Sequence, residues 1–189
     1  MTDCETITSS IESPASTDDT DHNDPLVWMR APQKSDAAGI HRLISECPPL
    51  DLNSVYTYLL LSEYFRETCV LAGSEDALYG FVSGYVPPQR SNTLFVWQVA
   101  VHERARGQRL GQRMLQNLLQ RPGLTQIQFI ETTVGPDNTA SRGMFTGLAR
   151  QLLAPINEQP LFERHMFGPQ AHEDEPLLRI GPFRSELPR

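Results

Sequence analysis

The chain has 189 residues, of which 39% are hydrophobic and 8% aromatic, as in ordinary globular domains. No apolar run approaches the roughly 20 residues that a membrane-spanning helix needs, so the composition excludes that kind of integral membrane protein. The formal net charge is −7, yet residues 1–24 hold seven acidic residues and no lysine or arginine, which leaves 16 acidic residues against 16 lysines and arginines in the rest.

The acidic N-terminal segment is predicted to be a disordered tail over residues 1–24. It is rich in serine and threonine and has few large apolar side chains with which to offset the entropy of ordering. Residues 25–184 are predicted to form one domain, and residues 185–189 a C-terminal tail. The neutral domain contains a single lysine, Lys34, which argues against a nucleic-acid partner. The N-terminus lacks the pattern of a signal peptide, so we expect a cytoplasmic protein.

Hydrophobic periodicity and helix-capping residues predict an alternation of strands and helices. In chain order these are a strand Leu26–Ala31, a helix from Ser35 or Asp36 to Glu46, a helix from Asn53 or Ser54 to Tyr64, strands Thr68–Ala72, Leu78–Val86 and Thr93–Val101, a helix Gly107–Leu119, a strand Gln126–Thr132, a helix Asn138–Leu153, and short strands within Ile156–Phe167 and at Leu177–Ile180.

The order of these elements predicts an α/β (α+β) fold with a mixed central sheet. The two strands before residue 87 have the spacing of an antiparallel hairpin. The strand–helix–strand unit Thr93–Thr132 requires a parallel pair joined by a right-handed crossover. We therefore expect helices on both faces of the sheet. Two helices have predicted core-facing residues: Val55, Tyr58, Leu59 and Tyr64 on one, and Leu110, Met114, Leu115 and Leu118 on the other.

Between the strand that ends at Val101 and the following helix lies a basic, glycine-containing loop. Four arginines fall within residues 104–113, and Gly107 and Gly111 allow close approach of a ligand to the backbone. The free N–H groups of a helix N-terminus favour an anion. The loop is therefore a candidate pyrophosphate site, although charge alone is equally compatible with a solvated basic helix start.

The loop resembles a family signature. Arg106-Gly-Gln-Arg109-Leu-Gly111 is similar to the R/Q-x-x-G-x-G/A motif of GNAT acetyltransferases, which follows an apolar strand as it does here. The helix start Asn138–Phe145 resembles the second CoA-contact helix of that family. Arg109 departs from the motif because the family has glycine there; its side chain would either crowd the phosphates or bind the 3′-phosphate of CoA.

The GNAT resemblance implies the acyltransferase fold and acetyl-CoA as cosubstrate, with no metal. The implied CoA contacts are Val99, Ala100, Val101, Arg106, Gly107, Gln108, Arg109, Leu110, Gly111, Asn138, Ser141 and Phe145. The chain lacks the GxxxxGK[ST] motif of ATP-binding loops and the GxGxxG motif of dinucleotide sites. It also lacks CxxC, and Cys47 and Cys69 have no evident base partner, so a structural metal and a cysteine nucleophile are not expected.

More specific strings resemble the diaminobutyrate acetyltransferases of ectoine (osmoprotectant) synthesis. They include Pro49-Leu-Asp51-Leu-Asn53-Ser54 and Phe95-Val-Trp97-Gln98-Val-Ala-Val101, and similar matches run from about Trp28 to Phe183. The resemblance implies acetyl transfer to the 4-amino group of L-2,4-diaminobutyrate, giving N4-acetyl-L-2,4-diaminobutyrate. It also implies a homodimer, and the lack of a long apolar run predicts no membrane partner. Two alternatives remain: a GNAT enzyme acting on another small diamine or amino acid, and a CoA-binding module without catalysis.

The acceptor is a small molecule with two ammonium groups and one carboxylate, so its site should offer acids, polar groups and an aromatic face. The substrate-binding candidates are Asp51, Asn53, Tyr56, Trp97, Glu173 and Glu175. Each has a structural alternative: helix capping for Asp51 and Asn53, core packing for Tyr56 and Trp97, and a solvated charged segment for the glutamates.

Catalysis requires a group that takes a proton from the ammonium before the amine attacks the thioester directly. The catalytic candidates are Asp51, Tyr56, Trp97, Glu131 and Glu175, and the sequence does not choose the base among them. The GNAT resemblance implies a bulged strand on which a backbone N–H near Gln98–Val99 polarises the thioester carbonyl. Phe145 stands where GNAT enzymes often have a tyrosine that protonates the departing thiolate.

Overall fold

A computed structural model describes residues 28–75, 77–169 and 172–184. The predicted acidic and C-terminal tails lie outside these ranges and stay predictions. The described elements, in chain order, are β1 (Trp28–Arg30), α1 (Ala37–Ser45), α2 (Val55–Tyr64), β2 (Val70–Gly73), β3 (Leu78–Tyr85), β4 (Thr93–Val101), α3 (Leu110–Leu119), β5 (Phe129–Thr133), α4 (Thr139–Gln151), β6 (Ile156–Phe162) and β7 (Glu175–Ile180).

The strands form one seven-stranded sheet in the order β1-β2-β3-β4-β5-β7-β6. Strands β4 and β5 are parallel, and every other neighbouring pair is antiparallel. The crossover between the parallel strands is α3, as the strand–helix–strand pattern predicts. The predicted mixed sheet is therefore confirmed. Within the described residues, no helix is both long enough and apolar enough to cross a bilayer.

Two hydrophobic cores lie on opposite faces of the sheet. One contains α1 and α2 with side chains such as Ile40, Tyr58 and Phe81. The other contains α3 and α4 with side chains such as Met114 and Phe145. The prediction of helices on both faces is confirmed, as is the inward face of α3, where the spacing of its apolar residues matches the helical repeat.

The predicted orientation of α2 is wrong in part. Tyr58 is buried as expected, but Val55, Leu59 and Tyr64 are exposed, and Leu61 is buried instead. The helix has apolar or aromatic side chains around most of its circumference, so the sequence pattern does not select one face. Packing against α1 makes that selection in the folded protein.

Candidate active site

Strand β4 contains a β-bulge at Trp97. Gln98 pairs with Ser83 of β3, but the next residue of β3, Gly84, pairs with Val96, so Trp97 is the extra residue on β4. The Trp97 side chain is 44% exposed and therefore does not belong to the core. The bulge lies at the position where the sequence predicts that a backbone N–H would face a thioester.

The bulge exchanges the faces to which the side chains of β4 point. Before it, Leu94 and Val96 pack in the core beneath α3 and α4. After it, Ala100 lies in the core of α1 and α2, and Val99 and Val101 pack toward α3 and α4. One strand thus contributes to both cores, and its two valines face the side on which the glycine-containing loop lies.

Strands β4 and β5 separate beyond the middle of the sheet. They pair only from Thr93 to Phe95 on β4 and from Phe129 to Glu131 on β5, although β4 continues to Val101. Within the described part of the chain, the β5-facing edge of β4 beyond Phe95 has no strand partner. Backbone N–H groups on that edge are available to a ligand inserted between the strands.

A cleft of about 400 Å³ opens at this separation. Most of the predicted CoA contacts line it: Val99, Val101, Arg106, Gly107, Arg109, Leu110, Gly111, Asn138 and Ser141. Three predicted contacts do not. Ala100 and Phe145 are buried in the two cores, and Gln108 lies in the loop without lining the cleft. The structure therefore gathers residues from β4, the loop and the starts of α3 and α4 around one cavity.

The N-terminus of α3 is arranged as an anion site. Arg109 precedes the helix with φ 55° and ψ 25°, in the left-handed region, and Gly107 has φ 80°. No side chain caps this helix start, so its first N–H groups are available to the cleft. A left-handed residue other than glycine costs about 1 kcal/mol, which explains why the GNAT motif has glycine where this chain has Arg109.

The N-terminus of α4 differs from that of α3. The Asn138 side-chain oxygen accepts the backbone N–H of Ser141 at 3.0 Å, so it serves as the N-cap of α4. The two helix starts face the same cleft, but a side chain occupies one of the first N–H groups of α4, whereas no side chain caps α3. The α3 start is therefore better suited to an anion.

One wall of the cleft, which the sequence did not predict, comes from the connection between α1 and α2 and consists of Cys47, Pro48, Pro49 and Leu50. Ala105 before α3 and Ala140 and Met144 of α4 also line the cleft. The sequence contained a signal for this wall, because Pro49 begins the string that resembles the diaminobutyrate acetyltransferases.

Burial raises the pKa of the Cys47 thiol, and it raises that of Cys69 to about 11. Both thiols are therefore protonated near neutral pH and poorly nucleophilic.

The acceptor candidates on the α1–α2 connection lie directly beside this wall. The Asp51 side chain is exposed and makes no hydrogen bond or ion pair within the described residues, whereas its carbonyl accepts Gln98 Nε2 at 2.8 Å. The N–H of Asn53 donates to the Tyr58 hydroxyl at 3.3 Å. Helix α2 begins after Ser54, so neither Asp51 nor Asn53 is its N-cap.

The two aromatic candidates for the acceptor site, Tyr56 and Trp97, both lie outside the hydrophobic cores. Tyr56 lies in the first turn of α2 and is 66% exposed. Trp97 is exposed at the bulge, next to the glutamine that binds the Asp51 carbonyl. Aromatic and acidic side chains that are available to a cation thus come from the helix start, the bulge and the connection between them.

Glu131 lies in a different environment. Its side chain is fully buried on β5, and Oε1 accepts Arg90 Nη1 at 2.8 Å and also Arg179 Nη1. Oε2 has no hydrogen-bond partner among the described residues. The Arg179 guanidinium lies over the ring of Phe129, 3.9 Å from its centroid. Two cations hold this carboxylate in place, which suits a positioning role better than proton transfer.

The acidic segment before β7 reaches the other side of the strand separation. Glu173 is exposed, and its carboxylate lies beside Gly135, in the connection between β5 and α4. Glu175 is half-buried at the first residue of β7 and pairs with Phe162 of β6. The ring of His172 stacks on Phe167 with centroids 3.8 Å apart. Among the described residues, no three histidine, cysteine or acidic side chains converge as metal ligands would.

Comparison with known proteins places this geometry in a family. Residues 37–149 match the model of the Acetyltransferase (GNAT) family. An L-2,4-diaminobutyric acid acetyltransferase from Bordetella parapertussis is 56% identical over 156 residues, which cover 82% of this chain and 84% of the relative. Another, from Methylotuvimicrobium alcaliphilum, is 49% identical over 161 residues, covering 85% and 94%.

A solved structure is similar over nearly the same span. It is the diaminobutyrate acetyltransferase EctA from Paenibacillus lautus, in complex with its substrate L-2,4-diaminobutyric acid and coenzyme A. The identity is 42% and the TM-score 0.80, and the match covers 83% of this chain and 95% of the solved one.

Proposed function

This chain belongs to the L-2,4-diaminobutyric acid acetyltransferases of the GNAT family, and we propose that it transfers the acetyl group of acetyl-CoA to the 4-amino group of L-2,4-diaminobutyrate. One observation carries the proposal beyond the family. The cleft is lined by Val99 and Val101, which follow the β4 bulge, and Asp51 is hydrogen-bonded through its carbonyl to Gln98 of the same strand, with its carboxylate unpaired within the described residues. Donor and acceptor features thus both adjoin the residues that follow Trp97.

The donor half of the site fits acetyl-CoA. Arg106, Arg109 and the uncapped N–H groups of α3 supply positive potential for the pyrophosphate. A side chain at Gly107 would meet nothing within 4 Å, so the loop leaves open space for a ligand. The pantetheine arm would then lie along Val99 and Val101, with the thioester at the bulge. The N–H groups of the unpaired β4 edge would polarise its carbonyl.

The acceptor half fits a dication that also carries a carboxylate. Asp51, Glu173 and Glu175 provide negative charge around the strand separation, and the Trp97 ring provides a face for an ammonium group. We assign proton removal to Asp51, because its carboxylate is unpaired within the described residues and its backbone is fixed to Gln98. The neutral amine then attacks the thioester carbon, and the new C–N bond forms as the C–S bond breaks. The nitrogen gives up its second proton, and CoA leaves as the thiolate, which takes up a proton. Of the described residues that line the cleft, none is a tyrosine.

A panel of acceptors tests the proposed function through the release of the CoA thiol. We expect kcat/KM for L-2,4-diaminobutyrate to exceed that for ornithine by tenfold or more, because one extra methylene in a fitted site costs about 1–3 kcal/mol. Putrescine, which lacks the carboxylate, should be poorer still. Equal turnover of all three would indicate a general small-amine acetyltransferase, and tight CoA binding without turnover would indicate a non-catalytic module.

We also propose that the protein acts in the cytoplasm, in ectoine synthesis, as a homodimer that uses the β6 side of the sheet. Strand β6 is one of the two edge strands of the described sheet, and all its residues are exposed. The apolar side chains of Ile156, Leu161 and Phe162 are among them. Open apolar edges of this kind are usually paired or covered, and a second copy of the chain is the occupant that the family resemblance implies.

Sedimentation of the full chain at micromolar concentration tests the dimer. We expect a dimer of the wild type and a monomer of the Phe162→Glu variant, because a charge at a buried apolar contact is costly. The matched change at an exposed glutamine of α4, Gln151→Glu, should leave the dimer intact. A monomeric wild type, or a dimeric Phe162→Glu variant, would contradict the assignment of this surface.

A further inference from the structure

A row of side chains crosses the sheet beside the separation of β4 and β5. Glu131 of β5 is in register with Phe95 of β4 on one side and with Arg179 of β7 on the other. Their chain neighbours Ile130 and Leu178 lie in the core beneath α3 and α4. Because side chains alternate along a strand, the row belongs to the opposite face, the one that carries α1, α2 and their connection.

The row holds more positive charge than Glu131 requires. Arg90, from the connection between β3 and β4, and Arg179 both bind Oε1 of Glu131, so one carboxylate accompanies two guanidiniums. One guanidinium would neutralise the carboxylate, and the second leaves a net charge of +1. The two arginine side chains are 46% and 32% exposed, although Glu131 itself is fully buried.

The two guanidiniums also have N–H groups that make no hydrogen bond within the described residues. Within the described part of the chain, each makes its hydrogen bond through Nη1 alone, so Nε and Nη2 remain available on both. Arg179 is further fixed by its position over Phe129. Planar guanidinium donors of this kind match the two oxygens of a carboxylate. A buried acid that orients two partly exposed arginines is the arrangement of an anion site.

We propose that Arg90 and Arg179 bind the α-carboxylate of the acceptor amino acid, with Glu131 as the positioning residue for both guanidiniums. The inference rests on the proposed function and names the group that separates a diamino acid from a simple diamine. Phe95 lies two residues before Trp97, which is about 7 Å along a strand. A four-carbon amino acid is shorter than this distance, so with its 4-amino group at the bulge its carboxylate would point toward the row, and the long arginine side chains would reach it.

The test compares two acceptors that differ only by the carboxylate, L-2,4-diaminobutyrate and 1,3-diaminopropane. In Arg90→Met and in Arg179→Met, we expect KM for diaminobutyrate to rise by about 10- to 100-fold, as for the loss of a hydrogen bond to a charged group. KM for diaminopropane should change less than twofold, as should KM for acetyl-CoA, which reports an intact donor site. Arg66→Met is the matched control, since this arginine is 50% exposed and has one acidic neighbour.

The outcomes separate this inference from the proposed function. Variants that keep the wild-type KM for diaminobutyrate would overturn the carboxylate site alone. An equal loss with both acceptors would overturn it too, because it would show a structural role. A wild type that does not acetylate diaminobutyrate would overturn the proposed function, and the inference with it. Partial recovery in Arg179→Lys, which restores the charge without the planar fork, would support carboxylate binding.

Discussion

Replacing Asp51 by alanine is expected to lower kcat/KM for L-2,4-diaminobutyrate by about 100-fold or more, the typical contribution of a general base. The Asp51 carboxylate has no partner among the described residues, and its segment is fixed by the bond from Gln98 to its carbonyl. The substitution therefore removes a charge from the acceptor site without breaking a side-chain contact. Steady-state kinetics with diaminobutyrate and acetyl-CoA measures the loss.

Stability and donor binding provide the controls for Asp51. Because the side chain does not cap α2, we expect the free energy of unfolding in urea to stay within about 0.5 kcal/mol of the wild type, and Kd for CoA to stay within twofold. Asp51→Asn keeps the size and a hydrogen-bonding group but cannot accept the proton, so it should lose nearly as much activity. Glu63→Ala, which removes an exposed acid of α2 paired with Lys34, should behave as wild type.

Two results would contradict this assignment. Wild-type activity in Asp51→Ala would show that another carboxylate removes the proton. Glu175 would then be the next candidate, because it is the first residue of β7 and lies beside the strand separation. Unfolding of the variant would show that Asp51 has a structural role instead. The first result would leave the proposed reaction unchanged, since only the base would differ.

The secondary-structure elements whose hydrophobic pattern matches their burial were predictable from the sequence. The inward face of α3 follows from apolar residues at helical spacing, and β4 reads as a central strand because it is apolar almost throughout. The face of α2 was not predictable, because Leu59, Leu60 and Leu61 are consecutive and cover more than one side of a helix. Only packing against α1 determines which of them is buried.

The candidate site also has parts that the sequence predicts and parts that it does not. The glycine-containing loop is local in sequence, so its residues were found together. The environment of Glu131 was not, because its two arginines lie 41 and 48 residues away along the chain. The bulge at Trp97 was expected from the GNAT resemblance and not from the residues themselves, since an apolar strand looks the same with one extra residue. Both features depend on strand pairing, which periodicity does not encode.

Gly84→Ala is expected to lower kcat by about tenfold or more and to lower the free energy of unfolding by roughly 1–3 kcal/mol, the usual range for an overpacked core position. Gly84 pairs with Val96 directly at the bulge. A methyl group there would lie 2.7 Å from the carbonyl oxygen of Phe95 and 3.3 Å from that of Thr68. Both are backbone atoms, so the strands must shift to admit it.

The shift should affect catalysis more than donor binding. Moving the Phe95 carbonyl displaces the following N–H groups of β4, which the proposed mechanism places against the thioester oxygen. Complete removal of one such donor typically costs about 100-fold or more in kcat, so a displaced donor is expected to cost a part of that. Kd for CoA should change little, because the pyrophosphate is held by the loop and the start of α3. Gly123→Ala is the control, since a methyl group there meets nothing within 4 Å. Assays at low temperature keep the destabilised variant folded; wild-type kcat under those conditions would show that the bulge geometry does not depend on Gly84.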